Sequence, residues 1–356
     1  MKNWWKVLAI ILILYSFIAG ILIPLKPGVL GVFPESVKSG ETVTIKVEGY
    51  NAHYTTAQNQ RAWLRIDSLH SIQAKSTKAI SQDSLAITFD IPSTGLGKGK
   101  SVGTTLVLDN EKDGYSLLPN AIQIIESDSI QNQENATKWQ GEITDATVSE
   151  SLSFPYRNIL YETIRNLFYH VPLWFAMLII FLVAAIYSGM YLGSIRGGRV
   201  GVRKYDQIAV GFTQVGILYG ILGLITGAVW ARWTWGEWWS FDVKQNMSAI
   251  AMLIYLAYLV LRGSFSDDFQ KQARISAVYN IFSFTTLIPL LFVIPRLYDS
   301  LHPGNGGNPG FGGEDLDNTM RMVFYPAIIG WILLGIWLSE LAYRFIRLKE
   351  RWLEQE

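Results

Sequence analysis

Six stretches of this chain are apolar over nearly the length a helix needs to cross a bilayer, and no other feature constrains its fold as much. They are residues 7–24, 172–193, 208–229, 247–261, 275–294 and 322–343. A helix rises about 1.5 Å per residue, so roughly 20 apolar residues span the hydrocarbon core. Lipid offers nothing to bond the backbone, so each stretch must satisfy its own N–H and C=O groups as a helix. The short 247–261 stretch is expected to draw on its flanks or on a thinner local membrane. The expected fold class is an all-α polytopic membrane protein of six transmembrane helices, with an extracytoplasmic β-sandwich inserted after the first.

Lys2 and Lys6 precede the first stretch and no small-residue cleavage site follows it, so an uncleaved span is expected over 1–24. Arg196, Arg199, Arg203 and Lys204 follow the second span. Arg262, Lys271 and Arg274 follow the fourth, and Arg344, Arg347, Lys349 and Arg351 follow the sixth, leading into a tail at 346–356. The positive-inside rule puts these segments, and both termini, in the cytoplasm. Residues 25–171, the segment after the third span and the loop after the fifth then face outward. The expected location is a bacterial inner membrane with a periplasmic outer face.

Residues 25–126 have a different period. Apolar and polar residues alternate at 43–47, 85–89, 105–108 and 121–125, between clusters of Gly, Asn, Asp, Ser and Pro. Short strands at such spacing predict a small β-sandwich, and the opening 34–45 loosely resembles immunoglobulin-like modules. Residues 127–154 are polar and read as a linker, with a sequon at Asn135. Over 155–171, Leu160, Ile164, Leu167 and Phe168 fall at helical spacing, which predicts an amphipathic interfacial helix leading to His170. A five-helix membrane domain is expected over 172–345.

Within that domain, residues 230–245 are too aromatic for an ordinary loop and too polar for a span. Trp230, Trp233, Trp235, Trp238 and Trp239 fall within ten residues, interrupted by Arg232 and Glu237 and followed by Asp242 and Lys244. An interfacial aromatic belt puts one or two such rings at a helix end, not five. Two of the four histidines, His170 and His302, lie at outer membrane boundaries. Taken singly, each reads equally well as an interfacial or loop residue. Taken together on one side, two imidazoles and a flat aromatic surface suit an iron porphyrin, whose propionates Arg165, Arg232, Lys244, Arg296 or Arg321 could pair. The chain has no cysteine, which excludes disulfides, cysteine-ligated zinc, iron–sulfur clusters and thioether attachment of haem. Any haem on this chain is therefore held non-covalently, and haem b is the expected cofactor. A net charge of +1 gives no reason to expect nucleic acid.

The string from Trp230 to Asp242 resembles the tryptophan-rich motif of the haem-handling family used in cytochrome c assembly, in its haem-exporter C branch. Thr234-Trp-Gly236, Trp238-Trp239 and Asp242 carry the likeness. The segment from Arg165 to Pro172 is similar to the family's first ligand segment, and Ser300-Leu-His-Pro303 to its second. The resemblance covers about 160–345. It implies haem binding with His170 and His302 as axial ligands, and Trp230, Trp233, Trp235, Gly236, Trp238, Trp239, Asp242 and Arg165 around them. It also implies transient loading, a periplasmic haem chaperone as recipient and ATP-binding-cassette exporter subunits as partners, alongside membrane lipid. Phe241, Lys244, the outer domain and the glycine-rich 304–313 depart from the family pattern.

Three other readings compete. A b-type electron-transfer cytochrome uses the same ligands, but it buries histidine pairs inside the bundle, and this chain has none deep in a span. A membrane sensor explains the β-domain and leaves the Trp/His group without a role. A transferase with Glu237 or Asp242 as base lacks a second acid. The expected protein binds and passes on haem and is not an enzyme.

Overall fold

The computed structural model describes residues 3–94, 100–127, 139–141, 143, 147, 152–158, 160–197, 203–265, 268–302, 316–353 and 355. The Asn135 sequon, Arg199 and the glycine-rich 304–313 lie outside the described residues. The chain divides into two compact units, Met1–Ile23 with Thr163–Glu356, and Pro24–Glu162.

Among the described residues the first unit holds six α-helices: α1 (Trp4–Leu22), α2 (His170–Arg196), α3 (Arg203–Trp235), α4 (Val243–Gly263), α5 (Phe269–Ile288) and α6 (Asn318–Leu353). Each is long and apolar enough to cross a membrane. A 3-10 helix, Tyr161–Phe168, precedes α2 where an amphipathic α-helix over 155–171 was expected. After Ile288, Pro289 and Pro295 supply no N–H, and α5 gives way to a π turn (Pro289–Val293) and a 3-10 turn (Ile294–Arg296).

α1 runs antiparallel to α6. Lys6 Nζ meets Glu340 Oε2 at 3.1 Å toward one end, and the Tyr15 hydroxyl donates to the Met322 carbonyl at 3.2 Å toward the other. That carbonyl is open because Pro326, four residues on, has no N–H to give it. Leu173, Met177 and Phe181 of α2, Val215 and Tyr219 of α3, Met252 and Tyr255 of α4 and Leu287 of α5 form the core. Ile10, Ile11, Leu14 and Ile18 of α1 and Leu253 and Val260 of α4 are exposed, as lipid-facing side chains are.

Polar residues cross this core as a connected ladder. Arg262 of α4 grips Asp206 of α3 through both guanidinium ends, at 2.9 and 2.6 Å. Tyr258 stands beside Arg262 and Thr213. Asn280 of α5 then donates to Thr213 at 3.0 Å and to Ser188 of α2 at 3.1 Å. With little hydrophobic force between helices in lipid, such bonds fix their register.

The second unit contains two sheets, so the expected all-α class applies to the first unit alone. Strand makes up 21% of the described residues, and the protein is mixed α and β. Outside the spans, period-two alternation has water on one side and a partner sheet on the other, which suits strands. One sheet has the order β1 (Gly28–Phe33), β3 (Thr42–Tyr50), β7 (Ser84–Asp90), β6 (Ser76–Ser81). The other has β2 (Ser36–Lys38), β9 (Gly114–Ile125), β8 (Ser101–Asn110), β4 (Arg61–Arg65), β5 (Ser71–Gln73). β2 pairs parallel to β9 and the remaining pairs are antiparallel. Ile45, Val47, Leu85, Ile87 and Phe89 of the first sheet share one core with Leu64, Leu106, Leu108, Ile122 and Ile124 of the second.

Within 127–154, the stretch that reads as a linker, the described residues bond to this sandwich. Trp139 Nε1 donates to the Ser93 carbonyl at 2.9 Å, Gln140 exchanges two backbone bonds with Ser71, and the Thr147 N–H donates to Asp109 at 2.9 Å. Polar composition concealed these anchors, since each needs only one side chain or a rung of backbone.

Glu126 makes the sandwich sensitive to acid. Burial pushes its carboxyl up, but bonds from the Ser93 and Thr94 hydroxyls and the Thr94 N–H (2.8 Å) outweigh that and hold it below its ordinary 4.5. A depressed folded value contributes stability present above the unfolded value and lost as pH falls through the folded one. Urea titrations of residues 24–162, followed by Trp63 and Trp139 fluorescence, should lose midpoint between about pH 6 and about pH 3. Glu126→Gln should lose about 1–3 kcal/mol near neutral pH, because an amide NH₂ then faces donors, and should flatten the acid limb. An unchanged acid limb would remove Glu126 as its source.

Candidate functional site

The first turn of α2 places His170 and Trp174 four residues apart on one face, toward α3. α3 answers with small residues. A Cβ on Gly223 would stand 2.8 Å from Trp174, and one on Gly227 would stand 2.8 Å from His170 Cε1. Between them Thr226 carries the contact: its Oγ1 lies 3.0 Å from His170 Nδ1. The Thr226 hydroxyl donates to the carbonyls of Leu222 (2.9 Å) and Gly223 (3.1 Å), so it is left to accept. With that hydroxyl donating to a backbone carbonyl, His170 carries its proton on Nδ1 and Nε2 holds the lone pair.

One turn further along α3, about 6 Å on, Trp230 occupies the same stripe. Its ring lies 5.8 Å from His302, and Trp235 meets the same imidazole edge-on at 5.0 Å. Trp230 and Trp235 also pack edge to face at 4.8 Å. His302 Nδ1 lies 2.8 Å from Asp242 Oδ2. A carboxylate only accepts, so this imidazole too is protonated on Nδ1 with Nε2 free for a metal. The two imidazoles are close enough to feel each other's charge.

Asp242 organises the loop as well as the histidine. Its carboxylate accepts from the Lys244 N–H (2.8 Å) as N-cap of α4, from the Leu301 N–H (2.7 Å) and from the Ser300 hydroxyl (3.1 Å). Burial pushes the Asp242 carboxyl up, yet the bonds from His302 and the Leu301 N–H overcome it and hold the group far below the usual carboxylate range. The segment leading into it turns at Gly236, whose φ of 83° suits glycine, and at Phe241, φ 57°. Gln245 accepts from the Ser240 N–H and hydroxyl, and Asn246 donates to the Phe241 carbonyl.

The tryptophan segment therefore divides. Trp230 and Trp235 face His302, and Trp239 is half-buried with Nε1 on Asn246 at 3.2 Å. Trp233 and Trp238 point outward, 77% and 58% exposed, as does Phe241 at 77%. Arg165 donates to the Gly20 (2.7 Å) and Ile23 (2.6 Å) carbonyls at the C-terminal end of α1, where a cation suits the helix dipole. Arg232 bonds to the Gly236 carbonyl, Arg321 to Asn318, and Glu237 and Arg296 are exposed. His53 and His70 belong to the other unit and bond to Asp113 and Asp67. Among the described residues no group of three His, Cys, Asp or Glu could hold a bare metal ion.

Sequence reading missed Thr226, Gly227 and Ser300. The signal for the first two was the 3,4 spacing of Gly223, Thr226, Gly227 and Trp230, which share a helix face. Gly227→Ala tests that face. The added methyl meets the tip of the His170 ring, so the ring should give way while the helix pair survives. Fold and thermal stability should hold, whereas any ligand bound through His170 should change its absorption spectrum. An unchanged spectrum in the folded variant would show that the ring accommodates the methyl without moving its Nε2.

Comparison with known proteins places residues 160–302 in a match to the cytochrome C assembly protein family. The heme exporter protein C of Haemophilus influenzae is 25% identical over 167 residues, covering 46% of this chain and 66% of that protein. The protein of the same name from Escherichia coli K12 is 24% identical over 185 residues, 51% of this chain and 69% of the relative. A cytochrome c biogenesis protein CcsA of Prochlorococcus marinus is 42% identical over 77 residues, 22% of this chain and 24% of its own length. The chain thus spans just under two thirds of the Haemophilus protein and about a quarter of the Prochlorococcus one.

Proposed function

The chain belongs, through residues 160–302, to the cytochrome c assembly protein family, and from that premise we propose that it binds haem b non-covalently between His170 and His302 and passes it on. One observation carries the reading. Two imidazoles approach the same stripe of α3, each with Nδ1 committed to an acceptor and Nε2 left with its lone pair. A porphyrin supplies four equatorial nitrogens to its iron and needs one donor on each face. Trp230 and Trp235 offer ring surface beside the His302 side, while exposed Trp233 and Trp238 suit contact with the outer leaflet or a partner.

The remaining roles follow from that binding. The protein moves a cofactor and transforms no substrate. His170, the tryptophan segment and His302 face the periplasm across a bacterial inner membrane, with both termini cytoplasmic. A periplasmic haem chaperone takes the haem, and ATP-binding-cassette exporter subunits assemble with the membrane helices. The two-sheet unit is immunoglobulin-like: its orders β1-β3-β7-β6 and β2-β9-β8-β4-β5 correspond to an ABED sheet and a GFC sheet with extra edge strands.

The test is a haemin titration of the purified full-length protein in detergent, read by absorption. A saturable rise at one haem per chain with a six-coordinate, low-spin spectrum is expected. Folded protein that takes up no haem, or holds it without a nitrogen ligand, would end the proposal. Trp230→Ala with Trp235→Ala should weaken binding far more than Trp233→Ala with Trp238→Ala.

A further inference from the structure

The two imidazoles differ in what stands behind them. His302 Nδ1 bonds at 2.8 Å to Asp242, a buried carboxylate. His170 Nδ1 bonds at 3.0 Å to the hydroxyl of Thr226, a neutral and weaker acceptor. A carboxylate behind an imidazole draws its N–H proton and raises the basicity of the opposite nitrogen; a hydroxyl does so far less. Asp242 is itself held by three further donors, so its orientation is fixed.

We propose that Thr226 and Asp242 are positioning residues that make the haem ligands unequal, with His302 the anchor and His170 the ligand that leaves when haem is handed on. This rests on the bis-histidine reading above. In the exchange, the Fe–Nε2 bond to His170 breaks with its electron pair staying on Nε2. A neutral donor from the recipient, such as an imidazole, supplies the replacing pair, and the iron keeps its oxidation state. Trp230 and Trp235 hold the His302 ring from two sides. On the other side the His170 ring packs on the bare backbone of Gly227, with no aromatic ring closing over it as Trp230 and Trp235 do over His302.

The asymmetry has an observable consequence in haem-loaded, full-length protein. Reduced samples are exposed to carbon monoxide, which replaces the more weakly held ligand, and the iron–histidine stretch of the retained ligand is read by resonance Raman after photolysis. Asp242→Asn, which keeps an acceptor for the α4 cap, should lower that stretch, raise the reduction potential and weaken haem binding by about 10–100-fold. Thr226→Val should speed carbon monoxide binding several-fold and leave the stretch unchanged, and Thr226→Ser should restore the wild-type rate. Placing a carboxylate behind the other ring, with Thr226→Asp, should slow the exchange. If Thr226→Val moves the stretch and Asp242→Asn does not, His302 is the ligand that leaves and the proposal is wrong. Equal effects of the two would mean equal ligands and would also overturn it. Spectra unaltered by removing either histidine would instead sink the bis-histidine reading beneath it.

Discussion

Haem bound to a His302→Ala protein is expected to lose its low-spin, six-coordinate spectrum and turn five-coordinate and high-spin, with affinity reduced by more than about 10-fold, since losing only the group hydrogen-bonded behind a ligand costs that much. The loop should survive the change. Asp242 keeps the N–H groups of Lys244 and Leu301 and the Ser300 hydroxyl, so the α4 cap and the approach of 300–302 do not depend on the imidazole. Free imidazole should therefore refill the gap left between Trp230, Trp235 and Asp242 and restore the low-spin spectrum. His170→Ala should also give a high-spin form, whereas His53→Ala and His70→Ala, whose rings bond to Asp113 and Asp67 in the β unit, should leave the spectrum as it is. A low-spin spectrum persisting in His302→Ala without added imidazole would remove that residue from the iron.

Arg262→Ala is expected to cost about 3–5 kcal/mol of stability, because it strands the Asp206 carboxylate in a low-dielectric interior. Both members of the pair are largely buried, the Asp206 side chain 4% and that of Arg262 15% exposed. Two parallel N–H···O bonds satisfy the carboxylate, and the remaining guanidinium capacity reaches Tyr258. Removing one partner leaves the other with neither water nor a counter-charge. Replacing both, as Asp206→Leu with Arg262→Met, should cost much less than the sum of the single changes, since no charge is then left unpaired. Unfolding in detergent, followed by circular dichroism at the helical bands, gives all three values. Additive losses would show that the pair acts as two independent surface charges. Haem affinity should move little in the folded fraction, because this pair joins the start of α3 to the end of α4 while the histidines meet the opposite end of α3.

The membrane helices were legible because lipid leaves the backbone one solution. Each of the six apolar stretches coincides with a helix: the first overruns α1 by two residues, the fifth needs the π and 3-10 turns after α5 to be covered, and the other four lie inside longer helices. α3 extends from Arg203 to Trp235 around the expected 208–229, since a helix does not stop where hydrophobicity stops. Its last turns carry Trp230 and Trp235 toward His302 and Trp233 outward, so the first part of the 230–245 segment is helix. In the β unit the alternating segments emerged as β3, β7, β8 and β9. β4 escaped because Ala62, Trp63 and Leu64 are all buried, and β1 because its glycines interrupt any pattern.

What the sequence determined by itself was the kind of protein. Hydrophobic length set the number of helices, period-two alternation announced a β insertion, and residue chemistry supplied two histidines and a cluster of tryptophans with no cysteine to bind haem covalently. What only the tertiary structure decided was pairing. That His302 stands on Asp242, 60 residues away, and His170 on Thr226, 56 residues away, follows from helix packing, to which a linear sequence carries no local signal. The same packing chose which two tryptophans face a histidine and which two face outward. It also turned Arg165 toward the end of α1. Hydrogen bonds between distant segments depend on three-dimensional approach within about 3 Å, and that distance is fixed by the core and not by residue identity at either end.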